Sequence, residues 1–359
     1  MHLIGPAAAS FFLCLLAMVA LRPVAIAMKL IDRPGGRKLH IGEIPVVGGL
    51  AMLLGMVLGM GLVPLPDWTS GSLLAASAIL VTVGLLDDRF ELSPWARLPV
   101  QILAALVLIV GAGVTIDTLG APFGDTYQLD GLSSYLFTIF AIVASINAFN
   151  MLDGMDGLAG ALAMVALAAL AFLAHSGGDA ASLAVCVVIM GAVAAFLVSN
   201  LPIHVNRDVR CFMGDSGSTL LGFLVAWLCI AVSQDPSPAT SPVTVLWVVA
   251  IPLIDLCWTV IRRTLRGISP FKPDNGHLHH LVLRAGFDVR TAFVVLVALA
   301  IALAAFGMTA SHLGLPDAWS LALLVSFGVL IVRVLYFPDL LRKFVPRAFH
   351  GVQPAVPEQ

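Results

Sequence analysis

Charged side chains are scarce in this chain. They make up 11% of its 359 residues, against 60% hydrophobic ones, whereas a water-soluble domain carries about 25% charged residues. That scarcity excludes a soluble globular fold. The five cysteines, Cys14, Cys186, Cys211, Cys229 and Cys257, form no Cys-x-x-Cys pair. A disulfide framework and a Cys-type zinc site are therefore not expected, and the thiols read as packing residues. No polar stretch is long enough to carry a core of its own, the longest being 262–290. No internal repeat is visible, which weighs against an inverted-repeat transporter. No basic segment precedes the first apolar run, so that run reads as a retained anchor rather than a cleaved signal.

What is present is a succession of long apolar runs. A hydrocarbon core of about 30 Å needs about 20 helical residues. Runs of roughly that length occur at 3–26, 46–63, 70–86, 98–114, 132–149, 158–175, 181–200, 216–232, 242–261, 291–311 and 318–336. They are continuous rather than alternating, and lipid-facing backbone must satisfy its own hydrogen bonds, so helices are expected rather than a barrel. The predicted fold is all-α: a polytopic membrane bundle of about eleven helices over 1–340, followed by a disordered tail, 341–359.

The net charge of −2 conceals an asymmetry. All 19 Lys and Arg residues fall on one side of this map, from Arg22, Lys29, Arg33, Arg37 and Lys38 to Arg342, Lys343 and Arg347. The opposite loops carry Asp67, Asp117, Asp125, Asp130, Asp179, Asp235 and Asp317 but neither Lys nor Arg. By the positive-inside rule the basic side is cytoplasmic, with the N-terminus outside and the C-terminus inside.

Four polar segments fall on that basic side. Asp87-Asp88-Arg89 ends the third run; two adjacent carboxylates can neutralise a divalent cation, or simply cap a helix end. Asn147, Asn150 and Asp153 recur at three-residue spacing before Gly154, Asp156 and Gly157. Oxygen donors without thiols suit a hard cation, with an Asx-rich turn as the other reading. Phe212-Met213-Gly214-Asp215-Ser216-Gly217-Ser218 leads into the eighth run. Asp215 or Ser216 reads as an N-cap, and exposed helix-terminal amides beside a carboxylate also suit a metal-bound phosphate. His277, His279 and His280 crowd the long basic loop, as a zinc site, a sugar and phosphate contact surface or a solvated cluster. Asp255 lies inside the ninth run and needs a partner, Arg262 and Arg263 being candidates if the helix bends.

At these segments, and at Asp32 to Gly49 and Leu283 to Phe287, the chain resembles the bacterial polyprenyl-phosphate N-acetylhexosamine-1-phosphate transferases. The similarity covers most of the chain in order. Leu278 stands where the family often has Ile, and Ser216 where it often has Ala.

The resemblance implies a multi-pass enzyme of the bacterial inner membrane with its active site facing the cytoplasm. Its substrates would be undecaprenyl phosphate and a UDP-N-acetyl amino sugar, either GlcNAc or a 6-deoxy relative. It would release UMP and begin a surface polysaccharide. The implied cofactor is Mg²⁺, with Mn²⁺ as the alternative. Asn150 and Asp215 look like metal residues, and Asp87, Asp88 and Asp156 like catalytic carboxylates. Asn147, Asp153, His277, His279 and His280 look like substrate contacts, and Lys38 like a lipid-phosphate contact. No nucleic-acid partner is expected, and self-association into a homo-oligomer is left open. An ion-coupled transporter is the rival from another class, but it would hold its carboxylates near the midplane rather than at one face. A CDP-alcohol phosphotransferase would need Ala-Arg after its first Asp-Gly, where this chain has Met155-Asp156.

Overall fold

The computed structural model describes residues 3–32, 44–64, 67–201, 210–234, 238–272 and 274–336. Lys38 and the tail 341–359 lie outside them. The order of elements is α1 (Ile4–Ala27), β1 (Ile31–Asp32), β2 (Ile44–Pro45), α2 (Gly48–Met60), α3 (Asp67–Phe90), α4 (Pro94–Ala112), α5 (Gly131–Leu152), α6 (Leu158–Gly177) and α7 (Ala180–Asn200). It continues with α8 (Gly214–Gln234), α9 (Pro242–Val248), α10 (Ala250–Leu265), α11 (Leu278–Arg284), α12 (Val289–His312) and α13 (Asp317–Tyr336). The protein is a helical membrane bundle with one short two-stranded ladder.

Each expected run carries a helix, but not all of them cross in the same way. Among the described residues nine helices are long and apolar enough to span a membrane. The run at 46–63 yields α2, whose 13 residues reach only about 20 Å at 1.5 Å each. The run at 242–261, expected as one continuous helix, is broken into α9 and α10, bent by 87°. The break falls at Val249, whose ψ of 24° leaves the helical range, and Pro252 supplies no amide to the first turn of α10.

Local chemistry sets the ends of the other helices. Ser93 accepts the amide of Ala96 and precedes Pro94, starting α4 directly after the short turn that follows α3. Asp130 and Ser133 form a capping box on α5. Asp179 accepts from the Ser182 amide at the start of α7.

The bundle is arranged around α8. Of its apolar stretch 89% is buried within the protein, against 28% for α1 and α13, which face outward. Helices α2, α3, α5 and α6 pack against it. The α8 N-terminus therefore meets the C-terminal ends of α3 and α5 at one end of the bundle. The two-stranded β1–β2 ladder lies beside that end, because Phe212 donates its amide to Pro45 O at 2.9 Å and accepts from the Gly48 amide at 3.0 Å.

Candidate active site

Asp87 and Asp88 are adjacent at the C-terminal end of α3, and they hold different partners. Asp87 is buried and both of its oxygens are engaged: Leu92 N donates to Oδ1 at 2.7 Å and Arg97 Nη1 to Oδ2 at 2.7 Å. It latches the turn between α3 and α4. Asp88 instead reaches the start of α8, where it accepts from the amides of Asp215 at 2.7 Å and Ser216 at 3.3 Å. The expectation that these amides stay open for a phosphate is thus corrected, since a carboxylate already occupies the positive end of the helix. Gly214 makes this possible: its φ of +69° suits glycine, and a Cβ there would lie 2.5 Å from Asp88 Oδ2.

Asp215 joins the segments. Asn150, near the end of α5, donates to Asp215 Oδ1 through a short contact, and to Ser218 Oγ at 3.0 Å. Arg97 Nη1 stands 3.8 Å from Asp215 Oδ2, so one guanidinium serves Asp87 and Asp215 together. The helix expected to carry Asn147, Asn150 and Asp153 on one face ends at Leu152, and Asp153 is its cap residue. Asn147 diverges from the other two, donating to Gln101 Oε1 and Val143 O at 2.8 Å each. Burial, then the negative field of Asp215, Asp88 and Asp156, pushes Asp153 up to about 8. Asp156 pairs closely with Arg210.

The histidine loop completes the cluster from the far side. His279 is buried, and it lies against Gly154, where a Cβ would fall 2.5 Å from its Nε2. Among the described residues neither of its ring nitrogens has a hydrogen-bond partner. Burial, then His280 and His277, holds its imidazole well below the ordinary range, and His280 is lowered to about 4 by burial, His277 and Arg284. Arg262 and Arg263, the conditional candidates to partner Asp255, bind Asp274 instead at 2.8 and 3.1 Å. Partial burial alone would raise Asp274, but these two donors and the Gly276 amide hold it below the usual carboxylate range. Asp255 pairs with His277.

Three contributors carried no signal strong enough to single them out in the sequence. Arg97 is one charge among many on the basic side, although the short Glu91-Leu92-Ser93 connection required α4 to fold back beside α3. Ser218 was visible only as part of a small-residue run. Asn200 is buried and clamps the site from behind, donating to Cys211 O and accepting from the Gly157 amide, both at 2.6 Å.

Among the described residues no group of three or more His, Cys, Asp or Glu side chains is arranged to hold a metal ion by itself. The donor set is nonetheless oxygen-only and acid-rich, with Asp88, Asp153 and Asp215 close enough to act on one another and Arg97 beside Asp215. That chemistry fits Mg²⁺, which is held through one or two carboxylates together with waters and substrate phosphates rather than in an all-protein cage.

Residues 70–233 match the model of Glycosyl transferase family 4. An undecaprenyl-phosphate alpha-N-acetylglucosaminyl 1-phosphate transferase of Salmonella typhi is 40% identical over 303 residues, covering 84% of this chain and 82% of the relative. The protein of that name in Escherichia coli (strain K12) is 38% identical over the same shares. The one in Haemophilus influenzae is 34% identical over 331 residues, 91% of each chain. The chain belongs to glycosyl transferase family 4. Its family-matched segment runs from the start of α3 to the end of α8, so Asp87, Asp88, Asn150, Asp153 and Asp215 all lie within it. The histidine loop is outside that segment but within the stretch shared with the relatives, and its contact with Gly154 brings it to the family core. The motif resemblance and the relatives point to the same branch of the family.

Proposed function

We propose that this protein transfers N-acetylglucosamine 1-phosphate from UDP-N-acetylglucosamine to undecaprenyl phosphate, releasing UMP, from the cytoplasmic face of a bacterial inner membrane. An oxygen of the lipid phosphate attacks the sugar-bearing phosphorus of the donor. The bond from that phosphorus to the bridging oxygen breaks, and UMP departs with the electron pair. The carrying observation is convergence: Asp88, Asn150, Asp153 and Asp215 come from the ends of three helices, with His279 of a distant loop against Gly154.

A phosphate monoester, with a second pKa near about 6, is already largely a dianion at neutral pH. A general base is therefore not the main requirement, and positioning together with charge neutralisation carries the reaction. Mg²⁺, or Mn²⁺ in its place, would supply that neutralisation when bound with the diphosphate. Asn150 and Asp215 are the residues to hold it. Asp88 braces the α8 turn that carries Asp215, and Asp87 keeps Arg97 beside it. Asp153 and Asp156 border the donor, His279 and His280 present neutral imidazoles to it, and Asn147 supports the site through Gln101. Lys38 is assigned to the lipid phosphate by its motif alone.

The cytoplasmic assignment rests on the 19 Lys and Arg residues, all mapped to one side. The sugar is taken from the relatives' names, and a 6-deoxy N-acetyl amino sugar is the alternative within the same chemistry. The test is incubation of purified protein with undecaprenyl phosphate, Mg²⁺ and a panel of UDP-sugars, following UMP. Release with UDP-N-acetylglucosamine, abolished by EDTA and restored by added Mg²⁺, is expected; no UMP with any donor sinks the transferase reading.

A further inference from the structure

Asp255 is fully buried in α10. Removing a carboxylate from water costs several kcal/mol unless close partners compensate. The two basic residues of its own helix, Arg262 and Arg263, are engaged with Asp274. Its oxygens are divided between two groups of the histidine loop: Leu278 N donates to Oδ1 at 2.6 Å, and His277 Nδ1 lies 2.8 Å from Oδ2. Thr259, one turn further along α10, places Oγ1 3.4 Å from the same ring nitrogen. A carboxylate only accepts, so Nδ1 of His277 must carry a proton to bond it, and in a neutral ring Nε2 then keeps its lone pair. The His277 ring is parallel to that of His279, within 3° and with centroids 5.9 Å apart, and His279 lies 4.1 Å from His280. One carboxylate on the bent half-helix thereby holds the first ring and the backbone amide that follows it, beside the other two rings.

Holding the loop would require only an acceptor for the Leu278 amide, which a hydroxyl or a side-chain amide could provide. A carboxylate adds control of the imidazole proton. We infer that Asp255 is a positioning residue of the donor site, holding His277 as an acceptor through Nε2 for a hydroxyl or amide N–H of the donor's sugar. This rests on the transferase reading above and assigns Asp255 a role that no motif gave it. The sugar is the part recognised; the uridine and the diphosphate are left to other groups. Asp255→Asn is the informative change. Its amide oxygen can still accept from Leu278 N, but its NH₂ donates to Nδ1, moves the proton to Nε2 and turns an acceptor into a donor.

The experiment compares wild type, Asp255→Asn and His277→Ala in detergent, reading affinity for UDP-N-acetylglucosamine and for UDP, donor and acceptor KM, and the ¹⁵N shifts of the His277 ring. For Asp255→Asn the expected result is about a tenfold loss of UDP-N-acetylglucosamine affinity, with UDP affinity and acceptor KM within about twofold of wild type. The pyrrole-like and pyridine-like ¹⁵N signals should exchange between the two ring nitrogens. His277→Ala should show the same split between UDP-N-acetylglucosamine and UDP, which keeps the inference testable should Asp255→Asn fail to fold. Equal losses for UDP and UDP-N-acetylglucosamine, or wild-type affinity for both, overturn it. If the wild type itself binds neither nucleotide, the transferase reading falls and takes this inference with it; wild-type binding with an unaffected Asp255→Asn defeats the role of Asp255 alone.

Discussion

The adjacent carboxylates Asp87 and Asp88 have separate jobs, and substitution should separate them. Both oxygens of Asp87 are bonded within the protein, one to the guanidinium of Arg97. Asp87→Asn is expected to cost about 2 kcal/mol of stability through the lost charge-assisted bond, read as a lower melting temperature. Asp215 is tied less fully into the fold, and Asp215→Asn should lower kcat by about a thousandfold while melting near wild type. Near-normal turnover in Asp215→Asn would overturn the metal role proposed for it. The histidines predict a pH effect. His280 is lowered from the ordinary imidazole value to about 4, so the unfolded chain binds the proton more readily than the folded one. Its contribution to stability is present above about pH 6.5 and is lost as pH falls through 4. A melting series from pH 7.5 to 4 should therefore slope more steeply in wild type than in His280→Asn; identical slopes would contradict the assignment. The residues that meet at the α8 N-terminus, among them Asp88, Asn150, Asp153 and Asp215, had been singled out in the sequence, as had Asp87 and the three histidines. Their partners had not. Whether a carboxylate meets Arg97 or a helix-terminal amide depends on where distant segments arrive, and spacing along the chain carries no record of that.

At the scale of elements, the site depends on how helix ends are fastened to one another. Asn200, the last residue of α7, bridges the Gly157 amide before α6 and the Cys211 carbonyl before α8. Asn200→Ala leaves two backbone groups without partners, each costing about 1 to 3 kcal/mol when buried. The expected outcome is a melting temperature lowered by several degrees, together with a fall in kcat larger than the change in either KM, because Asp153 and Asp215 lose their common anchor. A variant with wild-type melting and turnover would show that the clamp is dispensable. The positions of the helices followed from apolar runs and caps such as Ser93-Pro94 and Asp130. The break between α9 and α10 did not, since the run through Val249 is uniformly apolar and Pro252 is compatible with the first turn of a helix. The 87° bend became visible only with the neighbouring helices in place.

For the molecule as a whole, sidedness is the property most open to direct test. All 19 Lys and Arg residues map to one side, so a fluorescent protein fused after Tyr336 is expected to fluoresce in cells, and alkaline phosphatase at the same point to stay inactive. The opposite pair of results would reverse the orientation and place the site outside. The membrane character, the helical class and the basic side follow from the sequence by itself, because hydropathy and charge are summed over each segment whatever its neighbours are. Tertiary structure alone decided that α8 is the central helix, that Asp88 occupies its N-terminus, and that Asp255 belongs to His277 rather than to Arg262 or Arg263. Those outcomes depend on hydrogen bonds a few ångströms long between residues far apart in the chain, and only the packing of the whole bundle determines which of them can form.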